Sequence, residues 1–140
     1  MDYSTNRNEE YREVVKSVGE VALTNLRSAL YELNKAKHWS IADIFGGGLI
    51  STSSKQKHIQ AAKVYISDAK YVMEKHGREY STIAYHLGTN ALDMNGALGV
   101  LDYSRHDGYA DAIIHDGLEG VIDMVNNAIT QIENLLAEVR

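Results

Sequence analysis

Apolar residues recur at alternating steps of three and four residues along three long segments of the chain, and no proline interrupts them. This spacing follows one face of an α-helix, which completes a turn every 3.6 residues. Proline ends or kinks helices, and average usage would place about seven in a chain of this length. The sequence therefore predicts an all-α fold. We expect an elongated antiparallel helical bundle, or coiled-coil-like hairpin, of three long helices with short connecting helices.

The three apolar series set the bounds of the predicted helices, at roughly 8–37, 52–87 and 109–139. Residues 89–108 are punctuated by glycine and asparagine, and both a short helix and an irregular connector are open there. The first series is Tyr11, Val15, Val18, Ala22, Leu26, Ala29, Leu33 and Ala36. The second is Ile59, Ala62, Ile66, Ala69, Met73, His76, Tyr80, Ile83 and Leu87. The third is Ile114, Leu118, Val121, Val125, Ala128, Ile132, Leu135 and Val139.

Composition narrows the class of protein. With 44% hydrophobic and 24% charged residues, the chain can bury a core, and we expect a single helical domain over residues 1–140. The lack of cysteine excludes disulfides and thiolate zinc sites. A net charge of −5 argues against general nucleic-acid binding. The sequence shows neither a secretory signal nor a long apolar run, so we expect a cytoplasmic protein without a membrane span.

The junction between the first two helices, residues 39–58, holds the only tryptophan, the only phenylalanine and the only glycine triplet. Ser40 and Asp43 form a capping-box pattern, with Trp39 and Ile44 at the staple positions. This pattern predicts a short helix at 40–45, and it explains these residues without any binding role.

The glycine triplet Gly46, Gly47 and Gly48 lets the chain reverse direction. Three glycines exceed what a reversal needs, and a bare backbone also lets a ligand approach closely. A glycine-rich loop that enters a helix, with Lys55 near the start, is suited to an anion. The spacing is not that of a phosphate-binding Walker motif.

Lys55 lies on the same stripe as Ile59 and Ala62, so it points into the bundle or lies at its end. A lysine at such a position either extends its ammonium to solvent or pairs with a carboxylate. His58 lies three residues later on an adjacent face.

A second polar cluster precedes and opens the last helix. Asp107, Asp111 and His115 are spaced by four residues, and Asp116 follows. Carboxylate and imidazole groups at this spacing can share a divalent metal. Acidic residues are also expected in the first turn of any helix, because they complement its dipole. The sequence leaves both explanations open.

The junction W-S-I-A-D-I-F-G-G-G-L-I-S-T-S-S-K-Q-K-H-I resembles a motif of uncharacterised bacterial all-helical proteins, W-[GS]-x-x-D-x-x-G-G-G followed by K-H. The stretch Y-A-D-A-I-I-H-D-G-L-E-G-V-I is similar to an aromatic-rich segment of the same family. Gln56 stands where the family has its first histidine. The resemblance implies no activity, and it implies that the glycine junction and the start of the last helix form one site. The matching positions are Trp39, Asp43, Gly46, Gly47, Gly48, Lys55, Asp111 and Asp116.

These observations lead to two hypotheses. The first is a non-enzymatic helical bundle that binds a partner or a small ligand, such as an anion, at the bundle end, needs no cofactor, and forms a homodimer through its apolar seams. Its site comprises the eight positions that match the family motif, together with His58. The second is a metal-assisted hydrolase with Asp111, His115 and Asp116 as ligands. Elemental analysis of the untagged protein and of Asp111→Ala and His115→Ala variants distinguishes them.

Overall fold

A computed structural model describes four helices and no strand over residues 3–44, 48–77, 94–102 and 111–139. Side chains are described for residues 9–41, 53–75, 94–102 and 117–139. Helix α1 is Tyr3–Ile44, α2 is Gly48–Gly77, α3 is 94–102, and α4 is Asp111–Val139. The predicted all-α helical bundle is confirmed.

Helix α1 is the central element, and it packs against both α2 and α4. Only three residues separate α1 from α2, so two helices that pack along their length must run antiparallel. Helix α4 is also antiparallel to α1, because Lys37 pairs with Glu119 at 3.2 Å while Arg27 lies 3.8 Å from Glu133. At 1.5 Å per residue, the 42 residues of α1 extend about 63 Å.

One hydrophobic core joins all four helices, and the apolar series form it as predicted. Where side chains are described, the residues of the three series are buried, except for Tyr11, which packs on the edge of the core. His76, Tyr80, Ile83, Leu87 and Ile114 lie outside the described side chains. Helix α3 contributes Met94, Ala97 and Leu101.

The short helix predicted at 40–45 is wrong as a separate element, because α1 continues without a break to Ile44. Ser40 is therefore not a helix cap; its side chain is completely buried inside α1. The physical reason is that Ser40 falls four residues after Ala36 on the same stripe. Because burial of that stripe stabilises a continuous helix, α1 extends through the capping pattern.

Helix α2 begins at Gly48 rather than near residue 52, so Ser51, Thr52 and Ser53 lie within the helix. Its described part ends at Gly77, and the predicted extension to Leu87 lies outside the described residues. Between Thr89 and Gly108 the described residues form the short helix α3. Ion pairing of Lys63 with Asp102 links α3 to α2.

Candidate functional site

The end of the bundle is formed where α1 turns into α2. Trp39 lies near the end of α1, and Lys55 lies seven residues after the first residue of α2. Both are within roughly 10 Å of the turn along the helix axes. Because α1 and α2 are antiparallel, the tryptophan and the lysine belong to the same end of the molecule.

The antiparallel packing of α4 brings its first residues to the same end. Glu119 pairs with Lys37, and Asp111 begins α4 eight residues earlier. That separation corresponds to about 12 Å along the axis, comparable to the distance from Lys37 to the end of α1. The backbone register therefore brings the start of α4 level with the end of α1.

Lys55 is the most distinctive side chain at this end, because it is only 1% exposed. It continues the stripe of Ile59 and Ala62, as the spacing predicts, and it does not extend to solvent. Ser40 is buried as well, and neither residue is without an interaction partner. Burying an ammonium group costs several kcal/mol unless such interactions compensate for it.

Trp39 is half-buried, and its indole meets the ring of His38 edge-on, with centroids 6.1 Å apart and planes at 78°. This aromatic pair lies beside Ser40 in the last turns of α1. Exposed Ile41 adds apolar surface in the next positions. The α1 side of the bundle end is thus aromatic and apolar.

His58 has a specific partner on α1. Its Nδ1 lies 2.5 Å from Oε2 of Glu32, and both side chains are about one-fifth exposed. Because an ionised carboxylate only accepts hydrogen bonds, Nδ1 is the donor in this pair. The bond holds the imidazole in one orientation.

Glu32 is not among the site residues predicted from the sequence, although a signal for it exists. Residues 32 and 58 are equidistant from residue 45, so they are opposite each other once the chain folds into a hairpin centred on the junction. A search for polar pairs symmetric about Phe45, just before the glycines, finds this contact.

A groove runs along the outer side of α1 and α2 beyond Glu32, and it was also not predicted. It has a volume of about 420 Å³ and is lined by Arg27, Ser28, Tyr31, Glu32 and Tyr65. We call it the Tyr65 groove. On the other side of Arg27, a groove of about 550 Å³ separates α1 from α4.

Several predicted site residues lie outside the described side chains or outside the described chain. Gly46 and Gly47 fall between α1 and α2, while Gly48 is the first residue of α2. Asp43 lies in α1, and Asp111, His115 and Asp116 lie in α4, in each case with only the backbone described.

Because the side chains of these aspartates are not described, the proposed ligand site and the proposed metal site both stay predictions. Within the described side chains, no group of three or more histidine or acidic residues is arranged to hold a metal ion. No described helix has an apolar stretch long enough to cross a membrane.

No family model, curated protein or solved structure matches this chain. The resemblance to the bacterial family with the tryptophan and triple-glycine motif therefore remains a prediction. The assignment of a site depends on the geometry of the chain itself.

Proposed function

We propose that this chain is a non-enzymatic helical-bundle protein that binds a small ligand or a protein partner at the end of the bundle. The part recognised is an anionic group, such as a phosphate or a carboxylate. The proposed site comprises Trp39, Asp43, Gly46, Gly47, Gly48, Lys55, His58, Asp111 and Asp116.

The burial of Lys55 is the observation that carries this proposal. A methionine or leucine at this position would continue the apolar stripe without the cost of desolvating an ammonium group. Replacement of buried charged groups by apolar residues often leaves a protein equally or more stable, so stability alone does not account for the lysine. A positive charge next to a glycine-rich turn and a helix start is suited to an anion.

Trp39 allows a direct test, because it is the only tryptophan and lies at the proposed site. Inorganic phosphate and citrate would be titrated at constant ionic strength while the Trp39 emission is recorded, so that general screening does not change. We expect a saturable change in emission for the wild-type protein.

The informative variant is Lys55→Met, which keeps the length of the side chain and removes its charge. Lys57→Met is the matched control, because Lys57 is an exposed lysine two residues away on the same helix. The control should titrate like the wild type, whereas Lys55→Met should show no saturation. Identical titrations of Lys55→Met and wild type would contradict the proposal, and circular dichroism would establish that the variant is folded.

A homodimer in the cytoplasm is part of the same proposal. The apolar seams of α1, α2 and α4 are buried within one chain, so self-association has to use other surface. Helix α2 presents two large exposed apolar side chains seven residues apart, Val64 and Tyr71. They provide the surface through which we expect two copies to associate.

A further inference from the structure

The Tyr65 groove lies outside the proposed site at the bundle end and has a chemistry of its own. Its volume of about 420 Å³ is within the range of small-molecule pockets, about 300–1,000 Å³. Its lining combines one cation, one anion, two phenol rings and a hydroxyl group. The question is which ligand satisfies all of these groups together.

The two charged residues differ in how they are held. Oε2 of Glu32 accepts the bond from His58, and among the described residues Oε1 of Glu32 has no hydrogen-bond partner. Arg27 lies 3.8 Å from Glu133, and both side chains are more than half exposed. A pair at that distance and exposure is weak, so the guanidinium remains available to a second carboxylate.

The aromatic walls also differ. Tyr65 packs against the hydrophobic core and is held in place by it. Tyr31 is 61% exposed, and the ammonium of Lys35 already lies 5.5 Å from the centre of its ring. That distance is within the range of a cation–π contact. A positively charged group of a ligand is therefore better placed at Glu32 than over the Tyr31 ring.

We infer that the Tyr65 groove binds a small zwitterion of the α-amino acid class. The ligand carboxylate binds Arg27, its ammonium group donates to Oε1 of Glu32, and its side chain packs against Tyr65. A zwitterion is favoured over a simple cation or anion because the charged lining has one group of each sign. His58 is a positioning residue, since it holds the Glu32 carboxylate from the other side.

The test uses the full chain and three related probes. L-phenylalanine has both charges, its amide lacks the carboxylate, and 3-phenylpropanoate lacks the ammonium group. Binding would be measured by isothermal titration calorimetry and by ligand-observed NMR. We expect the amino acid to bind about tenfold or more tightly than either analogue, because each analogue loses one charge-assisted hydrogen bond.

Two charge-neutralising variants should have opposite effects on the binding of the two analogues. Glu32→Gln keeps an amide oxygen that accepts from His58, and it should weaken L-phenylalanine and its amide while leaving 3-phenylpropanoate unchanged. Arg27→Gln should weaken L-phenylalanine and 3-phenylpropanoate while leaving the amide unchanged. Glu13→Gln and Arg12→Gln are matched controls at exposed positions of α1, and should bind like the wild type.

The other standard amino acids would be screened in the same way, up to about 10 mM, where even millimolar affinity gives near saturation. The proposal is overturned if none of them binds, or if Glu32→Gln and Arg27→Gln bind the three probes like the wild type. The phosphate titration of the wild type and of Lys55→Met is a separate measurement, so failure here leaves the bundle-end proposal to its own test.

Discussion

At the scale of single residues, two polar side-chain contacts that join α1 to its neighbours differ in length and in burial. The Glu32–His58 pair is short and largely buried, whereas Arg27 and Glu133 are 3.8 Å apart and mostly in solvent. Partial burial excludes competing water and strengthens the bond. Exposed pairs lose most of their Coulomb energy to screening and to side-chain entropy. The first pair should therefore stabilise the hairpin far more than the second stabilises the contact with α4.

A double-mutant cycle measures this difference. For alanine substitutions of Glu32 and His58 we expect a coupling energy of about 1–2 kcal/mol, from urea denaturation near neutral pH. The same cycle on Arg27 and Glu133 should give about 0–0.5 kcal/mol. Equal coupling in the two cycles would show that the short contact has no special role in stability.

Glycine substitution at two helical positions tests how closely α1 and α4 approach. A Cβ atom at Gly19 would lie 2.7 Å from Cδ2 of Leu136, which is itself 2% exposed. A Cβ at Gly120 would meet nothing within 4 Å, and this residue is exposed in the middle of α4. Gly19 therefore allows a close contact that any larger residue disturbs, while Gly120 only weakens its own helix.

We expect Gly120→Ala to stabilise the protein by about 0.5–1 kcal/mol through helix propensity. Gly19→Ala receives the same benefit but must displace a packed leucine, so it should be about 1–3 kcal/mol less stable than Gly120→Ala. Thermal and urea unfolding of both variants provide the comparison. A Gly19→Ala protein as stable as Gly120→Ala would mean that Leu136 moves aside freely.

At the scale of elements, the continuity of α1 through Ser40 is the main departure from the predicted helix bounds. If a new helix began at Ser40, Ile41 would be its first residue, a position where proline is favoured. In the observed helix, Ile41 is an interior residue close to the last turn. There a proline removes a backbone hydrogen bond and clashes with the carbonyl of Lys37.

Ile41→Pro therefore separates the two arrangements. We expect it to destabilise the protein by about 3 kcal/mol or more, measured by chemical denaturation. Ile41→Ala is the control: since Ile41 is 40% exposed, the loss of its side chain should cost about 1 kcal/mol or less. Stability of the proline variant within experimental error of the alanine variant would favour a helix break at Ser40.

At the scale of the whole molecule, the proposed dimer can be tested through the exposed apolar side chains of α2. Val64 is 59% exposed and Tyr71 is 64% exposed, on one face of α2. Aspartate at both positions should dissociate the dimer without unfolding the chain, because these side chains contribute little to the hydrophobic core. Sedimentation velocity measures the change in mass.

Val21→Asp is the control, since Val21 is a comparably exposed valine on α1 and lies outside the α2 face. It should sediment like the wild type. A wild-type protein that remains monomeric at about 100 µM would contradict the dimer, because a biologically useful association has a lower dissociation constant.

The sequence by itself determined that the chain is helical and which face of its long helices is buried. Periodicity is a local property, and each residue such as Leu26, Ile66 or Val125 needs only its position on a turn to be assigned to the core. For the same reason the sequence placed Lys55 on the buried stripe, four residues before Ile59.

Only the tertiary structure decided what each face meets and how closely. The burial of Ser40 overrode a local capping pattern, because a long stripe packed against neighbouring helices outweighs one side-chain cap. The Glu32–His58 bond, the Gly19–Leu136 contact and the Tyr65 groove depend on the register between helices. Register is set by packing between segments distant in sequence, so no pattern within a single helix contains it.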